Sequence, residues 1–136
     1  MQETQRGVPG FPSVAQVAFS CEGSTLCARV TGEIDHHAAR RLREAIDQEV
    51  FRTLPATLAL DLSGVGFMDS AGLGLILGRL NLMTDRRGVL KLSGLRPSVA
   101  RILLLAGVER LPGLILPGQP APDTENARAE SPAGTI

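Results

Sequence analysis

Apolar positions along the chain follow two periods, which separate the predicted strands from the predicted helices. Alternating or continuous apolar runs predict strands, and apolar residues at every third or fourth position predict helices. The predicted strands cover residues 14–19, 26–31, 57–62, 89–92 and 114–116, and the predicted helices cover residues 36–51, 70–85 and 97–105. The resulting order, β-β-α-β-α-β-α-β, predicts an α/β fold in which helices pack on a mixed sheet.

Polar and turn-forming residues mark the ends of these elements. Asp35 is suited to cap the first helix, in which Ala39, Leu42, Ile46 and Val50 form the apolar stripe. The pair Ser63 and Gly64 is predicted to end the third strand. Gly72, Gly74 and Gly78 lie inside the second helix, where each costs roughly 1 kcal/mol relative to alanine. That cost predicts a close approach to this helix by its own sheet or by another protein.

Length and composition place the chain among small globular proteins. Its 136 residues suit one domain, predicted over 14–116, with a flexible lead-in over 1–13 and a disordered tail rich in proline and small residues over 117–136. The net charge is zero and the chain lacks a basic run with aromatic neighbours, which argues against nucleic acid as a partner. The longest apolar segment, 71–82, is shorter than the roughly 20 residues of a membrane span. With no export signal visible, we expect a cytoplasmic protein that does not bind membranes.

Cysteine and histidine are too few to favour a metal centre. Cys21 and Cys27 flank a predicted hairpin turn, and without an export signal we expect two reduced, partly buried thiols. His36 and His37 are adjacent on a predicted helix, about 100° apart, so they are poorly placed to bind one metal ion together. We therefore expect no metal and no cofactor.

The most informative stretch joins the third strand to the second helix. Asp69 and Ser70 stand where that helix begins, and a hydroxyl there has two possible roles. It caps the helix, or it presents a modifiable serine at the positive end of the helix dipole. The local sequence alone leaves both roles open.

Two segments, 26–37 and 67–79, give the chain a resemblance to the STAS family, and within it to the bacterial anti-sigma-factor antagonists. The first segment ends in Gly32-Glu33-Ile34-Asp35-His36-His37, and the second contains Phe67-Met68-Asp69-Ser70-Ala71-Gly72-Leu73-Gly74. The paired histidines point to the sporulation branch of these antagonists. The resemblance implies a sheet of four or five strands faced by helices. The family commonly ends in a further helix, which the proline-rich tail does not predict here.

The resemblance also implies a function. Such antagonists are not enzymes: they bind an anti-sigma factor that is also a serine kinase, release a sigma factor, and are reset by a serine phosphatase. The residue that matches their phosphorylated serine is Ser70; the neighbouring serine of the family is replaced by Ala71. We expect a monomer whose partner-binding surface comprises Asp35, His36, His37, Asp69, Ser70, Ala71, Gly72 and Gly74. The N–H groups of Ala71, Gly72 and Leu73 are expected to be free to solvate a phosphate.

Several alternatives stay open at this point. Ser63 is a second possible phosphate acceptor, although its predicted place in a turn favours bonding to local backbone. A histidine beside the helix start is often simply solvated, so a partner-binding role for His36 and His37 competes with none at all. A hydrolase built on Ser70 is disfavoured because the Gly-x-Ser-x-Gly motif is absent. A STAS module that senses a ligand or nucleotide is the remaining alternative, although no glycine-rich phosphate loop with a lysine is present.

Overall fold

The computed structural model describes residues 14–118, which contain every predicted helix and strand. The strands are β1 (Gln16–Glu22), β2 (Thr25–Ile34), β3 (Thr57–Met68), β4 (Val89–Ser93) and β5 (Leu114–Ile115). The helices are α1 (His36–Thr53), α2 (Ser70–Asp85) and α3 (Pro97–Ala106), and a short 3-10 helix covers Val108–Arg110. The predicted order and fold class are confirmed. The predicted lead-in, 1–13, and residues 119–136 of the predicted tail lie outside the described residues.

The five strands form one mixed sheet in the order β1-β2-β3-β4-β5. β1 and β2 pair antiparallel as a hairpin, and β2, β3, β4 and β5 pair parallel. Each parallel neighbour follows a helical crossover, which is the connection that parallel strands require. Because α1 follows β2 and α2 follows β3, both helices begin at the same end of the sheet.

The core is aliphatic and lies between the helices and one face of the sheet. Alternate residues of the central strands are buried, such as Leu58, Leu60 and Leu62 in β3, while the residues between them stay partly exposed. Helix α1 contributes a stripe of buried residues: Ala38, Leu42, Ile46 and Val50. The stripe begins at Ala38 and not, as predicted, at Ala39, which is only partly buried. A four-residue spacing throughout explains the difference, since it keeps all four side chains on one face.

Strand β3 does not end at Ser63 and Gly64, so the predicted break is wrong. The strand continues to Met68, with Gly64 opposite Thr31 and Met68 opposite Ile34 in β2. Two register shifts, between Arg29 and Thr31 and between Gly32 and Glu33, absorb the irregularity. Strand β2, whose last residue pairs with the last residue of β3, supplies backbone partners, and this pairing outweighs the local turn preference of a Ser-Gly pair.

Glycines 74 and 78 do not bring α2 close to its own sheet. A Cβ atom built at Gly74 or Gly78 would meet nothing within 4 Å, so, of the two predicted alternatives, approach of the sheet is wrong at these positions and approach of another protein stays a prediction. Gly72 differs, because a Cβ there would lie 1.9 Å from Cγ of Met68 and 2.5 Å from its Sδ. Only Gly72, of the three glycines that α2 carries, is therefore required by the internal packing.

The remaining sequence predictions concern the thiols and the membrane. Both cysteines are free; Cys27 is partly buried as predicted, but Cys21 is exposed, so the predicted burial is wrong for Cys21. Cys21 stands opposite Leu26 and Cys27 opposite Ser20, so the two thiols project from opposite faces of the hairpin. Over residues 14–118, none of the helices is both long and apolar enough to cross a membrane.

Candidate partner-binding surface

The segments 33–37 and 67–72 meet at one end of the sheet, although they begin 34 positions apart in the sequence. Ile34 and Met68 are register partners at the ends of β2 and β3, and the N–H of Asp69 donates to the carbonyl of Ile34 at 3.2 Å. Helices α1 and α2 begin immediately afterwards, at His36 and Ser70. The structure thus brings Asp35, His36 and Ser70 to a common edge.

A carboxylate caps each of these two helices. Oδ1 of Asp35 accepts from the N–H of Ala38 at 2.9 Å, and Oδ1 of Asp69 accepts from the N–H of Ala71 at 2.8 Å. Both residues have the extended backbone of an N-cap. Since Asp69 caps α2, the Ser70 hydroxyl does not have this role. The capping interpretation of Ser70 is therefore wrong, and its neighbour performs that task.

Ser70 is exposed at the first position of α2. Its hydroxyl makes no hydrogen bond to any of residues 14–118. The backbone beside it is held firmly, because the N–H groups of Gly72 and Leu73 both donate to the carbonyl of Asp69, at 3.0 and 3.4 Å. The side chain is thus accessible and unoccupied on a rigid support.

The same hydrogen bonds overturn one prediction. The N–H groups of Ala71, Gly72 and Leu73 were expected to be free for a phosphate, but the side chain and carbonyl of Asp69 already accept from all three. The prediction is wrong because the Asp69 side chain caps Ala71 and the Asp69 backbone carbonyl accepts the first bonds of the helix, from Gly72 and Leu73. A phosphate on Ser70 would have to displace Asp69, or remain without these donors.

The paired histidines lie on the exposed edge of the surface. His36 and His37 are both exposed, with ring centroids 4.0 Å apart and ring planes 37° apart. Within residues 14–118, no three His, Cys, Asp or Glu side chains gather where they could hold a metal ion. The rings contact each other, and a partner on this edge would meet them beside Asp35.

Not every residue of the predicted surface is accessible. Gly74 is exposed and Ala71 and Asp69 are partly exposed, but Gly72 is buried and faces Met68. Gly72 therefore supports the surface from beneath and does not form part of it. Its position in the motif reflects the room that Met68 occupies.

Sequence reasoning missed two features of this region. Phe67 is 45% exposed beside the start of α2, and an exposed aromatic ring is a common anchor for a partner. Arg79 is the only charged residue in the apolar stretch 71–82, yet it is 6% exposed. The sequence signal that could have identified Arg79 is a single charged residue inside an otherwise apolar helical segment. The exposure of Phe67 has no such signal, because pairs of partly or fully exposed residues at 63–64 and 66–67 interrupt the alternation of β3.

We expect Asp35→Ala to lower the free energy of unfolding by about 1 kcal/mol, because the cap of α1 is lost. Asp35→Asn is the matched control: its side-chain oxygen can still accept from Ala38, so stability should be retained while the charge is removed. Urea unfolding of the two variants measures the difference. Equal losses in both would show that the negative charge, and not the hydrogen bond, stabilises the helix.

The Asp35 cap also predicts a pH dependence. The hydrogen bond from the Ala38 N–H lowers the pKa of the Asp35 carboxyl from its ordinary value of 3.8. A lowered folded-state pKa means that the stabilisation is present above the ordinary value and is lost as the pH falls through the lowered one. We therefore expect the difference in thermal midpoint between wild type and Asp35→Ala to shrink below pH 3.8.

Comparison with known proteins identifies the family to which this fold and surface belong. The STAS domain model matches residues 16–123. An anti-sigma F factor antagonist from Paenibacillus polymyxa is 32% identical over 96 residues, which cover 71% of this chain and 82% of the relative. The solved unphosphorylated anti-sigma factor antagonist SpoIIAA superposes with a TM-score of 0.60 at 25% identity, covering 89% of this chain and 99% of that one. The phosphorylated form of Bacillus SpoIIAA has a TM-score of 0.60 at 26% identity, covering 81% and 95%.

Proposed function

Because the chain belongs to the STAS domain family, we propose that it is an anti-sigma-factor antagonist controlled by phosphorylation of Ser70. In its unphosphorylated form it binds an anti-sigma factor that has serine kinase activity, and this binding releases a sigma factor. Phosphate on Ser70 switches the antagonist off, and a serine phosphatase restores it. In this proposal the chain is a substrate and not an enzyme.

The observation that carries the proposal is the state of the Ser70 hydroxyl. It is exposed and has no hydrogen-bond partner among residues 14–118, while Asp69 caps the helix in its place. A kinase needs an accessible hydroxyl whose backbone does not move, and the hydrogen bonds to Asp69 supply that support. The residue after Ser70 is Ala71, so the motif contains a single acceptor.

The surroundings of Ser70 suit a passive acceptor. The carboxylate of Asp69 is engaged with the N–H of Ala71, so it is not poised as a base for the hydroxyl. The kinase would supply the base and the nucleotide. The similar protein SpoIIAA has been solved in a phosphorylated and in an unphosphorylated form, which supports a reversible modification of this chain as well.

Phosphate mapping tests the proposal directly. We expect mass spectrometry after incubation with the cognate anti-sigma factor and ATP to find one phosphate, on Ser70. Ser70→Ala should accept none. Ser63 and Ser93 lie in strands β3 and β4 and not at a helix start, so they provide internal controls. Phosphate on either of them in the wild-type protein would contradict the proposal.

A further inference from the structure

A groove separates α1 from α2 and begins at the proposed phosphorylation site. His36 of α1 and Ala71 of α2 line the end nearest Ser70, and Gly74 and Gly78 line the α2 side farther along. The groove encloses about 400 Å³. We refer to it as the α1/α2 groove. It is continuous with the surface that the proposed partner must contact to reach Ser70.

The α1/α2 groove is positively charged. Arg40 and Arg43 line it from α1 and Arg79 lines it from α2, and none of the lining residues within 14–118 is acidic. Asp47, which lies next to the groove, interacts with both Arg79 and Arg43, so one carboxylate serves two guanidinium groups. Among the described residues, the cluster therefore carries a positive charge that the neighbouring side chains do not neutralise.

Arg79 is the unusual member of this cluster. Its side chain is 7% exposed, and its Nε lies 2.8 Å from Oδ1 of Asp47. Neither atom is aligned for a hydrogen bond, and Nη1 of Arg79 is buried without a partner among residues 14–118. Burial lowers the pKa of the Arg79 guanidinium although Asp47 opposes the change. A buried guanidinium with unmet donors is costly, and such groups in native proteins call for an explanation.

Gly74 and Gly78, which line the groove, also need an explanation. Gly74 and Gly78 have open space where a Cβ would stand, so internal packing does not require them. Each nevertheless weakens α2 relative to alanine, by roughly 1 kcal/mol. The two glycines are about one helical turn apart on the α2 side of the groove. Because neither has a side chain, a polypeptide can approach α2 closely between the helices.

We propose that the α1/α2 groove receives an acidic side chain of the anti-sigma factor, which pairs with Arg43 and Arg79. This inference rests on the proposed function and names the chemistry of its partner. Two observations favour a protein over a free anion. The groove continues into the Ser70 surface, and the two glycines clear a full helical turn, more room than a free anion needs.

Charge reversal tests the pairing. Arg43 is exposed on α1, so Arg43→Glu should fold normally. Calorimetry with the cognate anti-sigma factor should show its affinity reduced by at least about tenfold, a modest loss for a close interfacial charge pair. Arg101→Glu, an equal change of charge on the exposed side of α3, is the matched control and should change affinity by less than about twofold. An Asp or Glu to Arg substitution in the anti-sigma factor should restore binding to Arg43→Glu.

Filling the groove gives an independent measurement. A Cβ at Gly78 would meet nothing within 4 Å, so we expect Gly78→Leu to retain its thermal midpoint while its side chain fills the groove and abolishes partner binding. Partner binding by Arg43→Glu that equals that of Arg101→Glu would overturn the inference. The inference would also be overturned if Arg43→Glu lost the binding of inorganic phosphate but bound the anti-sigma factor as the wild type does. The groove would then hold a small anion and not a side chain of the partner.

The two proposals can fail separately. A wild-type chain that binds no anti-sigma factor contradicts both. If phosphate on Ser70 abolishes binding of the wild-type chain, but Arg43→Glu binds the anti-sigma factor as tightly as the wild type, only the groove assignment is contradicted.

Discussion

Phosphorylation of Ser70 should weaken binding to the anti-sigma factor by more than about a hundredfold. The phosphate brings roughly −1.5 to −2 charges to the first residue of α2. Asp69 is adjacent and already accepts from the three N–H groups that a phosphate would need. The dianion would have to be desolvated in the interface while these three N–H donors remain engaged with Asp69. An unpaired buried charge costs about 3 kcal/mol or more, which is over two factors of ten in affinity.

Substitutions at Ser70 separate the charge from the shape of the modified residue. Ser70→Ala should bind as wild type does and should stay bound in the presence of ATP, because it accepts no phosphate. Ser70→Asp should bind weakly, and Ser70→Asn, with the same size and no charge, should bind much better than Ser70→Asp. Calorimetry with the cognate anti-sigma factor measures all three. Equal affinity of the phosphorylated and unphosphorylated protein would refute the switch.

Gly72→Ala and Gly74→Ala should have opposite effects on stability, although the two glycines are separated by one residue in α2. A Cβ at Gly72 would lie 1.9 Å from Cγ of Met68 and 3.3 Å from Cγ2 of Ile34. Met68 is 2% exposed, so it cannot swing into solvent to make room. Overpacking of this kind costs about 1–3 kcal/mol. Gly74 has open space instead, and alanine there should stabilise α2 by up to about 1 kcal/mol.

Urea unfolding measures this pair of variants. We expect the midpoint to fall for Gly72→Ala and to rise for Gly74→Ala, with unchanged slopes, because both proteins should expose the same surface on unfolding. Gly72→Leu should be more destabilised than Gly72→Ala, since the larger side chain meets the same buried neighbours. A Gly72→Ala protein as stable as wild type would show that Met68 repacks without cost.

The sequence predicted this site only in part, and particular residues show why. Asp35 was recognised as a cap because capping depends on neighbours three positions away. The same local reasoning gave the hydroxyl of Ser70 a possible capping role, which the Asp69 carboxylate performs instead. It also ended β3 at Ser63, because the strand that pairs with residues 64–68 is distant in sequence. The pairing of Arg79 with Asp47 could not be foreseen, since these residues belong to different helices.

By itself, the sequence determined the order of strands and helices, the aliphatic core and the motif that contains Ser70. Those properties follow from hydrophobic period and from short-range preferences, which act within a few residues. Only the tertiary structure decided that Gly72 faces the core while Gly74 faces open space, and that Arg79 lies buried beside a groove. These outcomes depend on which side chains from other elements meet a given position. Packing between elements is long-range in sequence, and helical period alone does not identify the neighbour.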